Sequence, residues 1–104
     1  MDEFFSLISQ FFYISKKALI NEAYNRKVIF IRSTLCDYLN TEFDYNYCHL
    51  GRIFHHDRTT IRNQIRKSQN ERKLYLTKGL YKDRFDTYIK IKKLTQVLGL
   101  NQLN

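Results

Sequence analysis

Residues 50–67, with the sequence LGRIFHHDRTTIRNQIRK, bring together side chains that can form hydrogen bonds with an anionic polymer. Arginine and lysine donate charged hydrogen bonds to phosphate oxygens, and arginine, asparagine and threonine can also contact the edges of nucleic-acid bases. If the second part of this segment is a helix, with about 100° per residue, Ile61 and Ile65 point to the core. The opposite face then carries Thr59, Asn63, Arg66 and Asn70, flanked by Arg62 and Lys67. The spacing therefore predicts a helix with a basic outer face.

The chain as a whole is basic. It has 104 residues, with 18 lysines and arginines against 10 aspartates and glutamates, and its net charge is +8. A surplus of this size in a small domain favours a polyanionic partner. Seven of the basic residues lie in residues 52–73, whereas residues 37–46 contain three acidic residues and no basic one. We therefore expect one positive face and one neutral-to-acidic face.

Long helices are compatible with this sequence, because it contains no proline and only three glycines. We predict a small all-α domain that spans residues 1–104. The predicted helices are residues 2–13, a short turn after a Ser15 cap, then 26–39, 47–54, 58–70 and 81–98. Loops are expected at residues 21–27 and 40–46, a polar connector at residues 68–73 and a break at Gly79.

Apolar residues at helical spacing are expected to form the core. The first helix supplies Phe4, Phe5, Ile8 and Phe12, and the helix at residues 26–39 supplies Val28, Ile31, Leu35 and Tyr38 or Leu39. In the last helix we predict a stripe of Phe85, Tyr88 or Ile89, the stem of Lys92, and Leu98.

Two predicted helices joined by the residues HHD, at 55–57, have the outline of a helix-turn-helix at about residues 46–70. In DNA-binding proteins with this motif, the second helix lies in the major groove and its N-terminal end contacts the bases. Asp57 stands at the N-cap position, and Arg58 and Thr59 follow it directly. The alternative is that the basic residues only keep an amphipathic surface helix in solution.

This segment also resembles the signature of the C-terminal DNA-binding domain, domain IV, of the DnaA-type chromosomal replication initiators. That signature has an apolar residue followed by Gly, a Phe four positions after the apolar residue, then Arg-Asp-His-Thr-Thr, an aliphatic residue and Arg-Lys. The residues in register are Leu50, Gly51, Phe54, Asp57, Thr59, Thr60, Ile61, Arg66 and Lys67. Upstream, ISQFFYISKKALIN resembles the opening segment of that domain, and NRKVIFIRSTLCDYL resembles its basic loop and long helix, with Arg26, Lys27 and Arg32 at matching places.

The resemblance implies a Trp-repressor-like helix-turn-helix that binds a short, asymmetric box of double-stranded DNA. It assigns the reading of bases in the major groove to Asp57, Arg58 and Thr59. It assigns contacts in the adjacent minor groove to the basic loop, with Asn25, Arg26 and Lys27. Phosphate contacts fall to Arg62, Asn63, Arg66 and Lys67, and Arg52 and Thr60 complete the residues that we expect at the DNA.

Three positions depart from the pattern of the initiators. Arg58 occupies the place of the signature His, His56 occupies the place of the Arg before Asp, and Tyr24 stands where the leading minor-groove arginine is expected. The target box should therefore differ from that of the initiators. The sequence also lacks a Gly-rich Lys-Ser/Thr phosphate loop, so we expect no ATPase, no other enzyme activity and no cofactor.

A chain with these features is expected to be either a free-standing DNA reader that regulates replication or transcription, for example in a phage or mobile element, or one domain of a longer protein. The N-terminus does not have the pattern of a signal peptide, and no segment approaches the roughly 20 apolar residues of a membrane span. We therefore expect a cytoplasmic protein, associated with the nucleoid and without a membrane partner. The oligomeric state does not follow from the sequence.

Other chemistry is expected to be absent. The residue types that zinc prefers occur at Cys36, Cys48, His49, His55 and His56, but the cysteines lack the paired two-residue spacing of zinc sites. We expect no metal site and two reduced, mostly buried thiols. The acidic residues Asp37, Glu42 and Asp44 are expected in a solvated loop instead of a nuclease site.

Two rival functions remain open. The charge and the eight tyrosines also fit a protein that binds RNA or single strands by stacking bases on aromatic rings. Alternatively, the basic helix could dock on an acidic partner, such as a replication or transcription protein that the chain inhibits.

Overall fold

The computed structural model describes residues 2–97 and 99. Over these residues the chain is all-helical, as predicted, and contains no strand. The helices are α1 (Asp2–Phe12), α2 (Lys16–Asn21), α3 (Arg26–Phe43), α4 (Tyr47–Phe54), α5 (Arg58–Lys78) and α6 (Lys82–Val97). None of the described helices is long and apolar enough to cross a membrane.

Side-chain caps start four of these helices, each by accepting a backbone N–H three residues ahead. The caps are Ser15, Asn25, Asn46 and Asp57, with acceptor distances of 3.0, 3.2, 2.8 and 2.7 Å. The caps predicted at Ser15 and Asp57 are confirmed. With Asn25 as its cap, α3 begins at Arg26 as predicted, so the loop predicted at residues 21–27 ends before Arg26 and Lys27.

Two helices are longer than predicted, because polar residues in them have tertiary partners. α3 continues to Phe43, so the loop expected at residues 40–46 begins only at Asp44, which has a left-handed φ of 58°. α5 continues to Lys78, so the connector predicted at residues 68–73 is helical. Gly79, with a φ of 70°, ends α5 as expected.

The core surrounds α3, which packs against α2, α5 and α6. The core residues predicted in α1 and α3 are buried, except that Phe12 is only half-buried. The face of α6 was predicted only in part. Tyr88 is buried as expected, whereas Phe85, Ile89 and Lys92 are half-buried, and the other buried residues are Arg84, Thr87, Ile91 and Thr95. Leu98 lies outside the described residues.

The two cysteines have different environments, contrary to the prediction that both are mostly buried. Cys36 is fully buried in α3, and burial raises the pKa of its thiol. Cys48 is exposed on α4, and both thiols are free. His49, next to Cys48, is also exposed.

Candidate nucleic-acid interface

A three-residue turn joins α4 to α5 and folds back onto α4. The turn begins at His55, which has a left-handed φ of 55°, and the N–H of His56 donates to the carbonyl of Gly51 at 3.0 Å. A Cβ at Gly51 would lie 2.6 Å from the backbone oxygen of His56. Glycine is therefore required at this position, because a side chain would push the turn away from α4. The predicted outline of two helices and a short turn is present.

The two predicted faces of α5 are confirmed over its first ten residues. Ile61 and Ile65 are buried, together with Leu50 and Phe54 of α4. The exposed residues of α5 over this stretch are Arg58, Thr59, Asn63, Arg66 and Lys67, and Thr60 and Arg62 are half-buried. Asn70 is exposed one turn further along, and Arg52 is exposed on α4. The exposed face therefore has the donors and acceptors that base edges and phosphates require.

Asp57 holds the start of α5 with its carboxylate. Its Oδ1 accepts the backbone N–H of Thr60 at 2.7 Å, and this hydrogen bond lowers the pKa of Asp57. The carboxylate is therefore charged at neutral pH, and one of its oxygens is occupied. Only the other oxygen is available to accept a hydrogen bond from a base.

Most basic residues of the segment 52–73 have no acidic partner among the described residues. Arg72 is the exception: its Nε and Nη2 donate to the two carboxylate oxygens of Asp37 at 2.7 and 2.9 Å. Asp37 was expected in a solvated loop, but it is buried in α3. The free positive charge of α5 is therefore concentrated towards its N-terminal half, and one of the predicted acidic surface residues belongs to the interior.

The loop at residues 22–25, directly before α3, is held by its own side chains. Oε1 of Glu22 accepts the backbone N–H groups of Tyr24 and Asn25 at 2.9 and 3.3 Å, and these hydrogen bonds lower the pKa of Glu22. The ring of Tyr24 is 91% exposed. Arg26 and Lys27 follow and are exposed on the first turn of α3. The loop therefore presents an aromatic side chain, and the first turn of α3 presents two basic side chains beside it.

Arg32 joins this loop to the turn between α4 and α5. It is buried, and its Nε donates to the carbonyl of Leu19 at 2.7 Å. Its Nη2 donates to the carbonyls of Ala18, at 3.4 Å, and Glu22, and its Nη1 donates to Nε2 of His56 at 3.0 Å. Because Nε2 must accept, His56 is neutral here, and burial together with Arg32 lowers its pKa. Arg32 matches a position of the initiators in sequence, but nothing in the sequence predicts this bridge.

The N-terminal part of α3 and the middle of α5 form a cleft of about 480 Å³. Arg26 and Lys67 both line this cleft. This cleft and the bridge by Arg32 place the two groups of predicted residues next to each other. Among the described residues, no three His, Cys, Asp or Glu side chains come together as metal ligands.

Comparisons with known proteins do not assign this surface. No protein-family model, curated protein or solved structure matches the chain. The resemblance to the DnaA-type domain therefore rests on the sequence motifs, and the function has to be inferred from those motifs and from the geometry of the interface.

Proposed function

We propose that this protein binds double-stranded DNA in a sequence-specific way and thereby regulates replication or transcription at the nucleoid, for example in a phage or mobile element. The observation that carries the proposal is the exposed face of α5, where basic and amide side chains without acidic partners follow a tight turn from α4. An α-helix fits the width of the major groove of B-form DNA. The N-terminal half of α5 is the part that enters this groove.

The roles of the residues follow from where they lie on α5. Arg58 and Thr59 are in the first turn, closest to the base edges, and the free oxygen of Asp57 accepts from an exocyclic amino group such as N4 of cytosine. Phosphate contacts are made by Arg62, Asn63, Arg66 and Lys67, with Arg52 adding charge from α4. The loop and the first turn of α3, with Asn25, Arg26 and Lys27, lie over the neighbouring minor groove.

The resemblance to the DnaA-type domain adds a statement about the target. Arginine forms two hydrogen bonds with O6 and N7 of guanine, whereas histidine offers one donor and a shorter reach. Because Arg58 replaces the signature His, the preferred box contains a guanine at the position that Arg58 contacts. The box therefore differs from that of the initiators.

Selection of duplexes from a random pool by the purified protein tests the proposal. We expect one enriched box with a guanine that is lost when the selection is repeated with Arg58→Ala. Affinity for the box should fall with salt at a log–log slope of roughly −4 to −5 if about five phosphates are neutralised. No enrichment, or a flat salt response, would contradict the proposal.

The rival functions are separated by competition in the same assay. Single-stranded DNA and RNA of the selected sequence should compete poorly with the duplex. If they compete better, the protein is a single-strand or RNA binder. A protein partner that stays bound after nuclease treatment, combined with the absence of a selected box, would favour the interaction module.

A further inference from the structure

The cleft between α3 and α5 has walls from three helices. Its lining residues are Arg26, Ile29, Phe30 and Ser33 of α3, Gln64 and Lys67 of α5, and Arg84 of α6. Arg26 and Lys67 are exposed, whereas Arg84 is buried. The cleft therefore has a partly apolar wall, from Ile29 and Phe30, and two cationic side chains on different helices at its exposed part.

The buried cation of the cleft is already neutralised. Nε of Arg84 donates to Oε1 of Glu71 at 3.1 Å, and its Nη1 donates to the hydroxyls of Ser33 and Thr34 at 2.6 and 2.7 Å. Its guanidinium also lies 4.2 Å from the centre of the Phe30 ring. Arg84 is therefore a fixed part of the wall and does not need a ligand.

Three other polar groups of the cleft have no such partner. Arg26 and Lys67 form no ion pair with any described residue. Oε1 of Gln64 is buried and has no hydrogen-bond partner, which is unfavourable for a buried polar atom. Rotation of the Gln64 side chain towards the cleft would let its NH₂ group donate to an anion beside Arg26 and Lys67.

We propose that the cleft holds one backbone phosphate of bound DNA, between Arg26 and Lys67, with Gln64 as a further donor. The inference rests on the proposed function, because a protein that enters adjacent major and minor grooves must cross the one strand that separates them. The cleft lies between the two elements assigned to those grooves. The paired N–H groups of an arginine match two phosphate oxygens, and lysine adds a second charge.

This assignment changes the role of Arg26. The resemblance to the initiators implies that Arg26 reaches into the minor groove, where it would sense A·T-rich shape. In the cleft, Arg26 instead contacts the phosphate between the two grooves and so positions the loop at residues 22–25 relative to α5 on the DNA. Contacts within the minor groove are then left to the loop itself and to Lys27.

A scan of the selected duplex with single methylphosphonates, which are neutral, tests this arrangement. For the wild-type protein, one neutralised phosphate between the two grooves should weaken binding about tenfold or more, as expected for loss of a charge-assisted contact. Arg26→Ala and Lys67→Ala should each bind the unmodified duplex more weakly and lose most of their sensitivity at that one position. Lys27→Ala is the matched control, since Lys27 is exposed beside Arg26 but does not line the cleft, and it should keep the full sensitivity.

Other outcomes would overturn the inference in distinguishable ways. If Arg26→Ala relaxes an A·T preference beside the box and keeps the phosphate sensitivity, Arg26 reads the minor groove. If inorganic phosphate at constant ionic strength binds to the wild type but not to Arg26→Ala and leaves the affinity for DNA unchanged, the cleft takes free phosphate and not the DNA strand. If the wild type selects a box but no phosphate couples to both residues, only this inference fails, whereas the absence of any selected box defeats the proposed function as well.

Discussion

The two halves of α5 both carry basic residues, but only the second half uses one of them, Arg72, inside the fold. Lys73 and Lys78 of that half are exposed. Over residues 58–67 the basic side chains have no acidic partner among the described residues, and most of them are exposed. Over residues 68–78, Arg72 is bound by Asp37 and packs 3.9 Å from the centre of the Tyr88 ring. The number of basic residues in a helix is therefore a poor measure of its binding surface, since part of the charge holds the helix in place.

Asp37 of α3 holds the second half of α5 (residues 68–78) in place. Its carboxylate accepts hydrogen bonds from the hydroxyls of Thr41 and Ser68, at 2.9 and 2.6 Å, and two from Arg72. Glu71 pairs with Arg84 of α6 in the same region. Ser68, Glu71 and Arg72 thereby fix this half of α5 to α3 and α6.

The largest expected effect on stability comes from breaking the ion pair between Asp37 and Arg72, which attaches the second half of α5 to α3. Asp37→Asn removes a buried charge and leaves the guanidinium of Arg72, which is 19% exposed, without its anion. We expect the free energy of unfolding to fall by about 3–5 kcal/mol, measured by urea denaturation. Asp44→Asn, at an exposed position, should change it by less than about 0.5 kcal/mol. Equal effects would mean that the two halves do not differ.

Two glycine substitutions compare the two ends of α5: Gly51 lies under the turn before its first half, and Gly79 ends its second half. In Gly51→Ala the new Cβ meets the oxygen of His56, and the resulting shift should cost about 1–3 kcal/mol of stability and weaken DNA binding below the melting temperature. In Gly79→Ala the Cβ meets nothing within 4 Å, but the left-handed φ costs about 1–2 kcal/mol. Gly79→Ala should therefore lower stability and leave the affinity of the folded protein unchanged. Thermal denaturation and binding titrations at one temperature separate the two.

Within the first half of α5, substitution of a base-contacting residue and of a phosphate-contacting residue should change DNA affinity in different ways. Arg58→Ala should cost about 1–3 kcal/mol of binding free energy on the selected box and little on random duplex. Lys67→Ala should weaken both to the same extent and reduce the salt slope by about 1. Lys78→Ala, in the second half, is the control and should change neither. If Arg58→Ala and Lys67→Ala give the same loss on every duplex, α5 is only an electrostatic surface.

The smallest expected effect is a pH dependence of stability from His56 in the turn before α5. Burial and Arg32 lower the pKa of His56 in the folded state below its ordinary value of 6.5. As the pH falls through about 6.5, the unfolded chain takes up a proton that the folded one does not, so the free energy of unfolding decreases until the folded pKa is reached. Denaturation curves measured between neutral and mildly acidic pH should show this decrease. His56→Gln, which can still accept from Arg32, should remove this contribution.

The features predicted correctly from the sequence are those that depend on neighbouring residues. The cap at Asp57 and the buried face of Ile61 and Ile65 follow from spacing within one helix. The buried face of α6 does not, because Arg84 is buried through partners about 50 residues away in α3. An arginine gives no apolar signal in a helical pattern, so the predicted stripe included Tyr88 but missed the rest of the buried face.

In the candidate interface, too, features set by neighbouring residues could be predicted and features set by distant partners could not. The exposed side chains of α5 could be predicted, since periodicity separates outer from inner positions. The role of Arg32 could not, because its acceptors are backbone carbonyls of α2 and the following loop together with a histidine 24 residues away. The pairing of Asp37 with Arg72, 35 residues apart, likewise required the packing of α3 on α5.

The contrast between the two thiols makes the opening of the core measurable by chemical modification. A thiol-specific reagent reaches Cys48 in the folded protein, whereas Cys36 is fully buried in α3 and reacts only when that helix separates from its neighbours. Cys48 can therefore carry a single fluorescent or spin label on α4, close to the turn. The slow modification of Cys36 then gives the rate at which the interior becomes accessible, from the same sample and without denaturant.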